Sequence, residues 1–428
     1  MAIADKRESV APLRSRSGHG RANTDRRCRN IFGPNRRGAT TQLSLASTMR
    51  ALRVAIVAPS LRILGGQAVQ AERLLQAWQA DPDVEAWLVP VNPAPIKPLR
   101  WTGQVKYVRT VVTELTYVPL LLRELARADI VHVFSASYWS FLLAPLPALL
   151  VARALGRPVI LNYRSGEAAD HLARSTIARA ALARVDRNVV PSQFLVDVFE
   201  HFGVAATVIP NIVDLDRFQY RARIPLRPRL VSTRNFDDLY NVACTLRAFR
   251  IVQRQRPDAT LTLVGGGARE RDLRALAATL ELRNVTFVGR VRPEEIAAIY
   301  AAHDVYIQSP NIDNMPASVL EAFASGLPVA STDAGGIPCV VRDQHNGLLA
   351  PVDDHEALAA RVLRLLEDPV FAQQLARTAR ESCDAYTWRT VRRQWLDLYR
   401  CALSTDVAVG RPVGTADGSR PRSQRRAV

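Results

Sequence analysis

The feature that most constrains the fold of this chain is a regular alternation of short apolar runs with longer helix-like segments. The first run, LRVAIVA, begins at Leu52 and has the composition of a strand that is buried on both faces. Similar runs recur as far as PVAST, which ends at Thr332, and segments with helical periodicity lie between them. This alternation predicts an α/β fold in which helices cover both faces of parallel sheets.

The alternation is interrupted once, at VIPNIVDLDRF, which divides the chain into two halves of similar length. We therefore predict two Rossmann-like, doubly wound domains that face a cleft, one over residues 51–211 and one over residues 212–387. Ligands of such sheets bind beyond the carboxyl ends of the strands, so the loops that follow each strand are the candidates for function.

Charge and cysteine content restrict the function classes. The formal net charge is +17, and residues 1–50 hold 11 Lys and Arg against 3 acidic residues. We expect residues 1–50 to form a disordered basic extension, with Met49 as a natural start, and residues 405–428 to form a disordered tail. Basic ends of this kind indicate nucleic-acid binding only weakly, and we expect none. The five cysteines form no C-x-x-C pair, which argues against a disulfide framework or a zinc site.

Location is predicted from the same features. We find no apolar signal segment near the N-terminus and no apolar run long enough to span a bilayer, so we expect a cytoplasmic protein. The segment PIKPLRWTGQVKYVRT, residues 95–110, combines basic and aromatic residues, which suits an anionic membrane surface. A basic acceptor pocket or an ordinary helix surface explains the same segment, and peripheral attachment to the inner face of a membrane stays a hypothesis.

Glycine-rich turns follow two of the predicted strands. Gly65 and Gly66 precede a helical segment, where glycine lets the backbone approach a ligand and the helix N-terminus offers N–H groups to a phosphate. An ordinary turn is an equally good interpretation. VGGGARERDL is neither a dinucleotide loop nor a phosphate loop, because Glu270 replaces the last glycine and no Gly-Lys-Ser/Thr follows. A strand-to-helix turn is favoured there, with Arg269 near a phosphate.

Charged residues end three further strands. Arg234 ends the first strand of the second half, and its guanidinium can hold a phosphate with two hydrogen bonds, although a surface arginine fits as well. VGR ends a later strand at Arg290 and offers backbone contacts to a flat base. In the first half, LNYRSGEAADH brings Arg164, Glu167 and His171 together, and the alternative there is a helix start capped by Ser165.

The stretch DNMPASVLEAFASGLPVAST places two carboxylates, Asp313 and Glu321, eight residues apart before a run of small residues. A solvated helix face is the simple interpretation. However, the order of the motifs resembles that of the retaining nucleotide-sugar glycosyltransferases of family 4, which have the two-Rossmann GT-B fold. The resemblance covers about residues 52–400, with Asp313-x7-Glu321 in the place of the family's Glu-x7-Glu pattern.

The resemblance implies a nucleoside-diphosphate sugar as the donor substrate, with neither cofactor nor metal, and a glycan, lipid-linked or small-molecule acceptor. It implies that Glu321 binds the ribose hydroxyls, that Asp313 approaches the donor sugar and that Arg234 serves catalysis. It also implies that a helix over residues 388–404 crosses back onto the first half. The implied donor-binding residues are Gly65, Gly66, Gly265, Arg290, Val291, Asn314, Met315, Pro316 and Ala317. The implied acceptor pocket contains Arg164, Glu167 and His171.

Two positions depart from the family pattern. Leu239 stands where the family usually has a lysine, so one cation for the diphosphate is missing. Tyr163 and Arg164 stand where the family often has a histidine, and Arg164 is a candidate to restore the lost charge from the opposite wall. A non-catalytic nucleotide-sugar-binding protein and a nucleotide-sugar epimerase of the same fold therefore remain as alternative functions.

Overall fold

The computed structural model describes residues 50–61, 65–93 and 106–406. Residues 1–49, 62–64, 94–105 and 407–428 lie outside the described residues. They include nearly all of the predicted basic extension and most of the proposed membrane segment, residues 95–110. Everything described belongs to one compact unit, Thr48–Val428.

The first half forms a six-stranded parallel sheet with the order β2-β1-β3-β4-β5-β6. Its register is set by pairs such as Val54 opposite Ile130. The strands are β1 (Leu52–Ala58), β2 (Val84–Pro90), β3 (Ile130–Ser135), β4 (Val159–Tyr163), β5 (Arg187–Val190) and β6 (Thr207–Val208). The helices are α1 (Gly66–Gln79), α2 (Lys106–Ala126), α3 (Trp139–Leu143), α4 (Pro145–Ala154), α5 (Ala168–Arg174), α6 (Thr176–Leu182) and α7 (Gln193–His201).

The second half forms another six-stranded parallel sheet, with the order β12-β11-β10-β7-β8-β9. Its strands are β7 (Arg229–Ser232), β8 (Thr260–Val264), β9 (Val285–Gly289), β10 (Val305–Gln308), β11 (Val329–Thr332) and β12 (Leu348–Ala350). Its helices are α8 (Val242–Gln255), α9 (Glu270–Thr279), α10 (Ile296–Ala302), α11 (Ala317–Ala324), α12 (His355–Glu367) and α13 (Pro369–Ser382). The prediction of two parallel sheets in an α/β fold is confirmed.

Apolar side chains cover both faces of the central strands, which explains why β1 and β3 are mostly apolar, whereas the edge strand β9 alternates in burial. Every residue of β3 is buried, for example. Four buried clusters result, two for each sheet.

The last helix, α14 (Trp388–Asp406), packs against α1 and β3 of the first sheet. Its Val391, Trp395 and Tyr399 side chains are buried, as the helical spacing predicted. The ring centroid of Trp395 lies 4.6 Å from that of His132 in β3. In the part of the chain that the structure describes, every helix is too short or too polar to cross a bilayer.

Candidate functional site

The centre of the second sheet brings Arg234 and Asp313 together. The strand order reverses between β7 and β10, which are neighbours, and the loops after them carry these two residues. Arg234 Nη2 donates a hydrogen bond to Asp313 Oδ2, and Arg234 Nη1 donates to Ser318 Oγ at 3.0 Å. Burial lowers the pKa of the Arg234 guanidinium, but the charge of Asp313, the nearby Tyr240 and Tyr306 and the hydrogen bond to Asp313 together outweigh this and raise it above its ordinary value. The guanidinium therefore stays protonated.

Glu321 lies within α11 and has a different partner. Its Oε1 accepts a hydrogen bond from Arg73 Nη2 of α1 at 2.5 Å, so this ion pair joins the two halves of the molecule. Its Oε2 accepts from the Tyr300 hydroxyl at 3.0 Å. Burial and the charge of Glu321 raise the pKa of the Tyr300 phenol well above its ordinary value, which keeps it protonated as a donor.

Glycines hold the loops of Arg234 and Asp313 by close backbone contact. Gly265 has φ +153°, and a Cβ there would lie 2.1 Å from the carbonyl oxygen of Arg234. Gly335 has φ +54°, and a Cβ there would lie 2.2 Å from the carbonyl oxygen of Asp313. Only glycine fits both the dihedral angle and the space at these two positions. Gly265 and Gly335 therefore let neighbouring backbone segments pack directly against the loops that carry Arg234 and Asp313.

Two adjoining cavities open at this centre. The first cavity, of about 230 Å³, contains Glu321 and Arg73, and the second cavity, of about 240 Å³, contains Asp313 and Arg164. Arg234, Tyr240, Gly66 and Ala317 line both.

The N-terminus of α11 therefore separates the two cavities. Pro316 occupies its N-cap position, and proline has no side-chain acceptor for the first N–H groups of the helix. A helix N-terminus of this kind attracts anions such as phosphate.

Comparison with known proteins identifies the family. The model described as "Glycosyltransferase Family 4" matches residues 64–217, and the model described as "Glycosyl transferases group 1" matches residues 220–382. The chain belongs to the family 4, group 1 glycosyltransferases.

Named relatives include the sulfoquinovosyl transferase of Arabidopsis thaliana, 26% identical over 66% of this chain and 59% of the relative. Another is the D-inositol 3-phosphate glycosyltransferase of Saccharomonospora viridis, 28% identical over 60% of this chain and 65% of the relative. The chain thus matches less than two thirds of the length of these relatives.

Among solved structures, sucrose-phosphate synthase from Thermosynechococcus elongatus has a TM-score of 0.65 at 22% identity. The match covers 83% of this chain and 100% of the sucrose-phosphate synthase chain. Anabaena HepE, solved with UDP-glucose, has a TM-score of 0.63 at 17% identity over 83% of this chain and 100% of its own. These likenesses confirm the predicted GT-B fold for this glycosyltransferase family member.

The residues that the family resemblance implicated fall into the two cavities, apart from His171. Glu321, Gly65, Gly66, Gly265, Arg290, Val291, Arg234 and Ala317 line the first cavity. Asp313, Asn314, Met315, Pro316, Ala317, Arg234, Gly66, Arg164 and Glu167 line the second. Leu239, which replaces the family lysine, also lines the second cavity.

The placement of His171 corrects the predicted acceptor pocket. The side chain is only 1% exposed and lines neither cavity. Helix α5 turns it into the core, where Nδ1 bonds the Tyr163 hydroxyl at 2.8 Å and the ring packs against Tyr138 and Phe141. Burial lowers the pKa of His171, consistent with a neutral core histidine.

Arg269 was also expected near a phosphate, and the structure places it elsewhere. Its guanidinium pairs with Asp238 at 3.1 Å and with Asp272 at 3.0 Å on the surface, and it lines neither cavity. The predicted cap at Ser165 differs too, because α5 begins only at Ala168, while Ser165 Oγ accepts from the backbone N–H of Glu167 at 3.3 Å.

Sequence reasoning missed Arg73 and Tyr300, the two partners of Glu321. A signal for Arg73 existed in α1. Gln67 and Gln70 stand at the cleft end of the helical stripe that continues through Ala71, Leu74 and Trp78. Glutamine within such a stripe indicates a polar contact, and Gln70 indeed bonds both the N–H and the carbonyl group of Ile212.

Direct hydrogen bonds also join the halves beside the second cavity. Ser192 Oγ donates to Asn314 Oδ1, and Asn211 Nδ2 donates to the carbonyl oxygen of Met315 at 2.6 Å. The loop that carries Asp313 is therefore held by both halves. Among the described residues, no group of three or more His, Cys, Asp or Glu side chains is arranged to hold a metal ion.

Proposed function

We propose that this protein is a retaining glycosyltransferase that moves a sugar from a nucleoside-diphosphate sugar to a glycan, lipid or small-molecule acceptor. The observation that carries the proposal is the pair of arginine–carboxylate contacts, Arg73–Glu321 and Arg234–Asp313, on either side of the α11 N-terminus.

The nucleoside fits the first cavity. A carboxylate has about four acceptor sites, and Arg73 and Tyr300 occupy two of those on Glu321. The others can accept hydrogen bonds from the two hydroxyls of a ribose. Val291 and Gly265 line the same cavity, and we propose that they contact the base.

The diphosphate fits the boundary between the cavities. The first N–H groups of α11 lie there, Arg234 lines both cavities, and Arg73 and Arg290 line the first. As the bond between the sugar and the diphosphate breaks, negative charge develops on the β-phosphate. Fixed N–H dipoles and guanidinium groups stabilise this charge without reorganisation, so we propose that the transfer needs no metal.

The transferred sugar and the acceptor fit the second cavity. Asp313 borders it, and its carboxylate is held by Arg234 and by the backbone N–H of Asn314 at 2.7 Å. We propose that the acceptor hydroxyl attacks on the face from which the diphosphate leaves, which retains the configuration at the sugar carbon. Its relatives include a D-inositol 3-phosphate glycosyltransferase and a phosphatidyl-myo-inositol mannosyltransferase, whose names agree with a small-molecule or a lipid acceptor.

A non-catalytic nucleotide-sugar-binding protein is the alternative that one observation favours, because Leu239 replaces the family lysine in the second cavity. An epimerase of this fold would consume the donor without an acceptor. A donor screen distinguishes the three functions. Thermal shift with UDP-, GDP- and ADP-sugars selects the donor, and mass spectrometry then follows donor consumption with and without a panel of acceptors.

We expect a glycosylated product that forms only when an acceptor is present, in the presence of EDTA as in its absence. The coupling constant of the new anomeric proton should match that of the donor sugar. Donor binding with no product for any acceptor would favour the binding protein, and donor conversion without an acceptor would favour the epimerase.

We further propose that the protein associates peripherally with anionic membranes. Leu115, Val118 and Leu122 of α2 stand three and four residues apart on an exposed face, while Tyr117 and Leu121 on the other face are buried. Arg123, on the same helix, is exposed as well. Arg123 also lies 3.5 Å from Glu124, so the exposed apolar stripe is the main support, since such a stripe inserts into the headgroup region of a bilayer.

Liposome sedimentation at low salt tests this proposal. The parent should sediment with vesicles that contain an anionic lipid and much less with neutral ones, and the double variant Leu115→Gln/Leu122→Gln should lose most of that binding. Val370→Gln is the matched control, because Val370 is an equally exposed apolar residue of the second half. Equal sedimentation of the parent with both kinds of vesicle would contradict the proposal.

A further inference from the structure

Arg164 lies at the carboxyl end of β4, half-buried, and lines the second cavity. Its Nη1 donates a hydrogen bond to Asn162 Oδ1 at 3.0 Å, and its guanidinium lies 5.3 Å from the centroid of the Phe134 ring. Burial lowers the pKa of the guanidinium to about 9. The surroundings therefore remove part of the water from this cation without placing an opposite charge beside it.

Two other arginines of the cleft differ in this respect, whereas Arg290, which also lacks a carboxylate within 4 Å among the described residues, lines the first cavity. Arg73 pairs with Glu321 and Arg234 pairs with Asp313. Among the described residues, no carboxylate oxygen lies within 4 Å of the Arg164 guanidinium. Arg164 is thus the cation of the second cavity that the protein itself leaves without a counter-charge.

A buried arginine can instead be satisfied by carbonyl oxygens, as Arg223 is. That side chain donates to the carbonyl groups of Arg221, Tyr300, His303 and Ser325. Arg164 has five N–H donors and one side-chain bond of this kind within the described residues, to Asn162. The guanidinium that borders the cavity therefore has N–H groups available for a ligand.

A hydrogen-bonded chain holds Arg164 in place. Asn162 Nδ2 lies 3.1 Å from His132 Nε2, and His132 Nδ1 lies 2.9 Å from the Tyr399 hydroxyl of α14. Burial lowers the pKa of His132 to about 3, so the ring is neutral and Nε2 can accept from the amide. This contact orients the Asn162 side chain with its oxygen towards Arg164, and a guanidinium held in this way is preorganised for a ligand.

We propose that Arg164 binds an anionic group, a phosphate or a carboxylate, that the acceptor carries into the second cavity. The proposal rests on the proposed function and names the substrate class. Arg164 does not line the first cavity, where Glu321 and Arg73 lie, so the anion belongs to the acceptor side. Asp313 does not compete, because Arg234 neutralises it, and Glu167, the other carboxylate of the second cavity, forms no ion pair with Arg164. The planar guanidinium matches two oxygens of one phosphate or carboxylate.

Inorganic phosphate is the probe, titrated by calorimetry at low ionic strength into the full chain. The protein is first saturated with the nucleoside diphosphate that stabilises it most in the thermal-shift screen, so that phosphate cannot enter the first cavity. The parent should bind phosphate saturably. Arg164→Gln should bind it about thirtyfold more weakly, which corresponds to about 2 kcal/mol. Arg164→Lys, which keeps the charge without the fork, should lie between the two.

Arg393→Gln is the matched control, because the same substitution is made there on a guanidinium that is 88% exposed, on α14. It should bind phosphate as the parent does. The affinity for the nucleoside diphosphate should be the same in Arg164→Gln as in the parent, which places the anion on the acceptor. A fall in that affinity, with phosphate binding unchanged, would assign Arg164 to the donor and overturn the proposal.

The absence of saturable phosphate binding in the parent complex would overturn the proposal without any variant. A parent that binds no nucleoside diphosphate and no nucleotide sugar would instead contradict the proposed function, so the two failures are distinguishable.

Discussion

The two arginine–carboxylate pairs of the cleft have the same chemistry and nearly the same burial, but they lie in different places in the chain. Arg234 and Asp313 are 79 residues apart within one sheet, whereas Arg73 and Glu321 are 248 residues apart and belong to different halves. The Arg234–Asp313 pair is therefore complete in the second half alone. The Arg73–Glu321 pair exists only while the halves are in contact. This pair therefore depends on closure of the two domains, whereas the Arg234–Asp313 pair does not.

The two cavities also differ in charge. In the first cavity, Arg73 and Glu321 neutralise each other, and Arg290 adds a cation. In the second cavity, Arg234 neutralises Asp313, and Arg164 and Glu167 add one charge of each sign without forming an ion pair. Six substitutions can break or sharpen these contrasts.

The largest effect is expected from Arg234→Met, because Arg234 lines both cavities. The variant leaves Asp313 charged and almost buried, and removal of one partner from such a pair costs about 3 kcal/mol of unfolding free energy. The loss of a fixed charge near the diphosphate should lower kcat by about 10²- to 10³-fold. Urea unfolding and steady-state kinetics measure the two effects.

Arg73→Met provides the comparison for stability. Glu321 keeps the Tyr300 hydroxyl as a donor in that variant, and the contact between the halves can open to water. We expect its loss of unfolding free energy to be clearly smaller than that of Arg234→Met. Equal losses would show that the two pairs do not differ in the way that their positions suggest.

The next largest effect concerns Glu321→Gln. The change keeps the shape of the side chain but weakens its hydrogen bonds to a ribose and to Arg73, so nucleoside diphosphate binding should weaken about tenfold to a hundredfold. Asp313→Asn should lower turnover more than it weakens binding of the free nucleoside diphosphate. Calorimetry measures nucleoside diphosphate binding to both variants and so tests the two roles. Parent-like binding by Glu321→Gln together with weakened binding by Asp313→Asn would reverse the assignment of the two carboxylates.

A pH effect is expected from His132, which supports only the second cavity. The folded state holds its pKa at about 3, against about 6.5 in an unfolded chain. Below pH 6.5 His132 therefore binds a proton in the unfolded state but not in the folded state. The free energy of unfolding falls as the pH falls towards 3. Between pH 6.5 and 5 the parent should lose about 1.5 kcal/mol more than His132→Asn does. Parallel stability curves for the two proteins in urea would contradict this expectation.

The smallest effect is expected from Leu239→Lys, which returns the family cation to the second cavity. The new ammonium should strengthen nucleoside diphosphate binding about threefold at low salt, and the gain should shrink as salt screens the charge. Leu239→Met is the control for the change in shape. Weaker binding by Leu239→Lys would show that repulsion between the new ammonium and Arg234 exceeds its attraction to the diphosphate. The cleft would then not accommodate another cation.

Much of the fold could be predicted because its signals are local. A strand buried on both faces requires a continuous apolar run, and LRVAIVA shows this directly at β1. The core-facing stripe of α14 was equally readable from its helical spacing. The placement of Arg234 and Asp313 followed from a similarly simple rule, since both follow strands whose carboxyl ends meet at one edge.

The histidine in the first half shows where local reasoning fails. His171 stands close in sequence to Arg164 and Glu167, which line the second cavity, yet α5 turns it into the core. The direction of a side chain depends on the residue at which the helix begins, and α5 begins later than the Ser165 cap would suggest.

The sequence by itself determined the two parallel sheets, the loops that reach the cleft and the spacing of Asp313 and Glu321, because each of these is set by neighbouring residues and strand periodicity. Only the tertiary structure decided the partners of those carboxylates and the lack of a counter-charge at Arg164. Ion pairing is a matter of a few ångströms between segments that are far apart in the chain, as with Arg73 and Glu321. Local patterns contain no such distances, so the charge of each cavity becomes known only when both halves are in place.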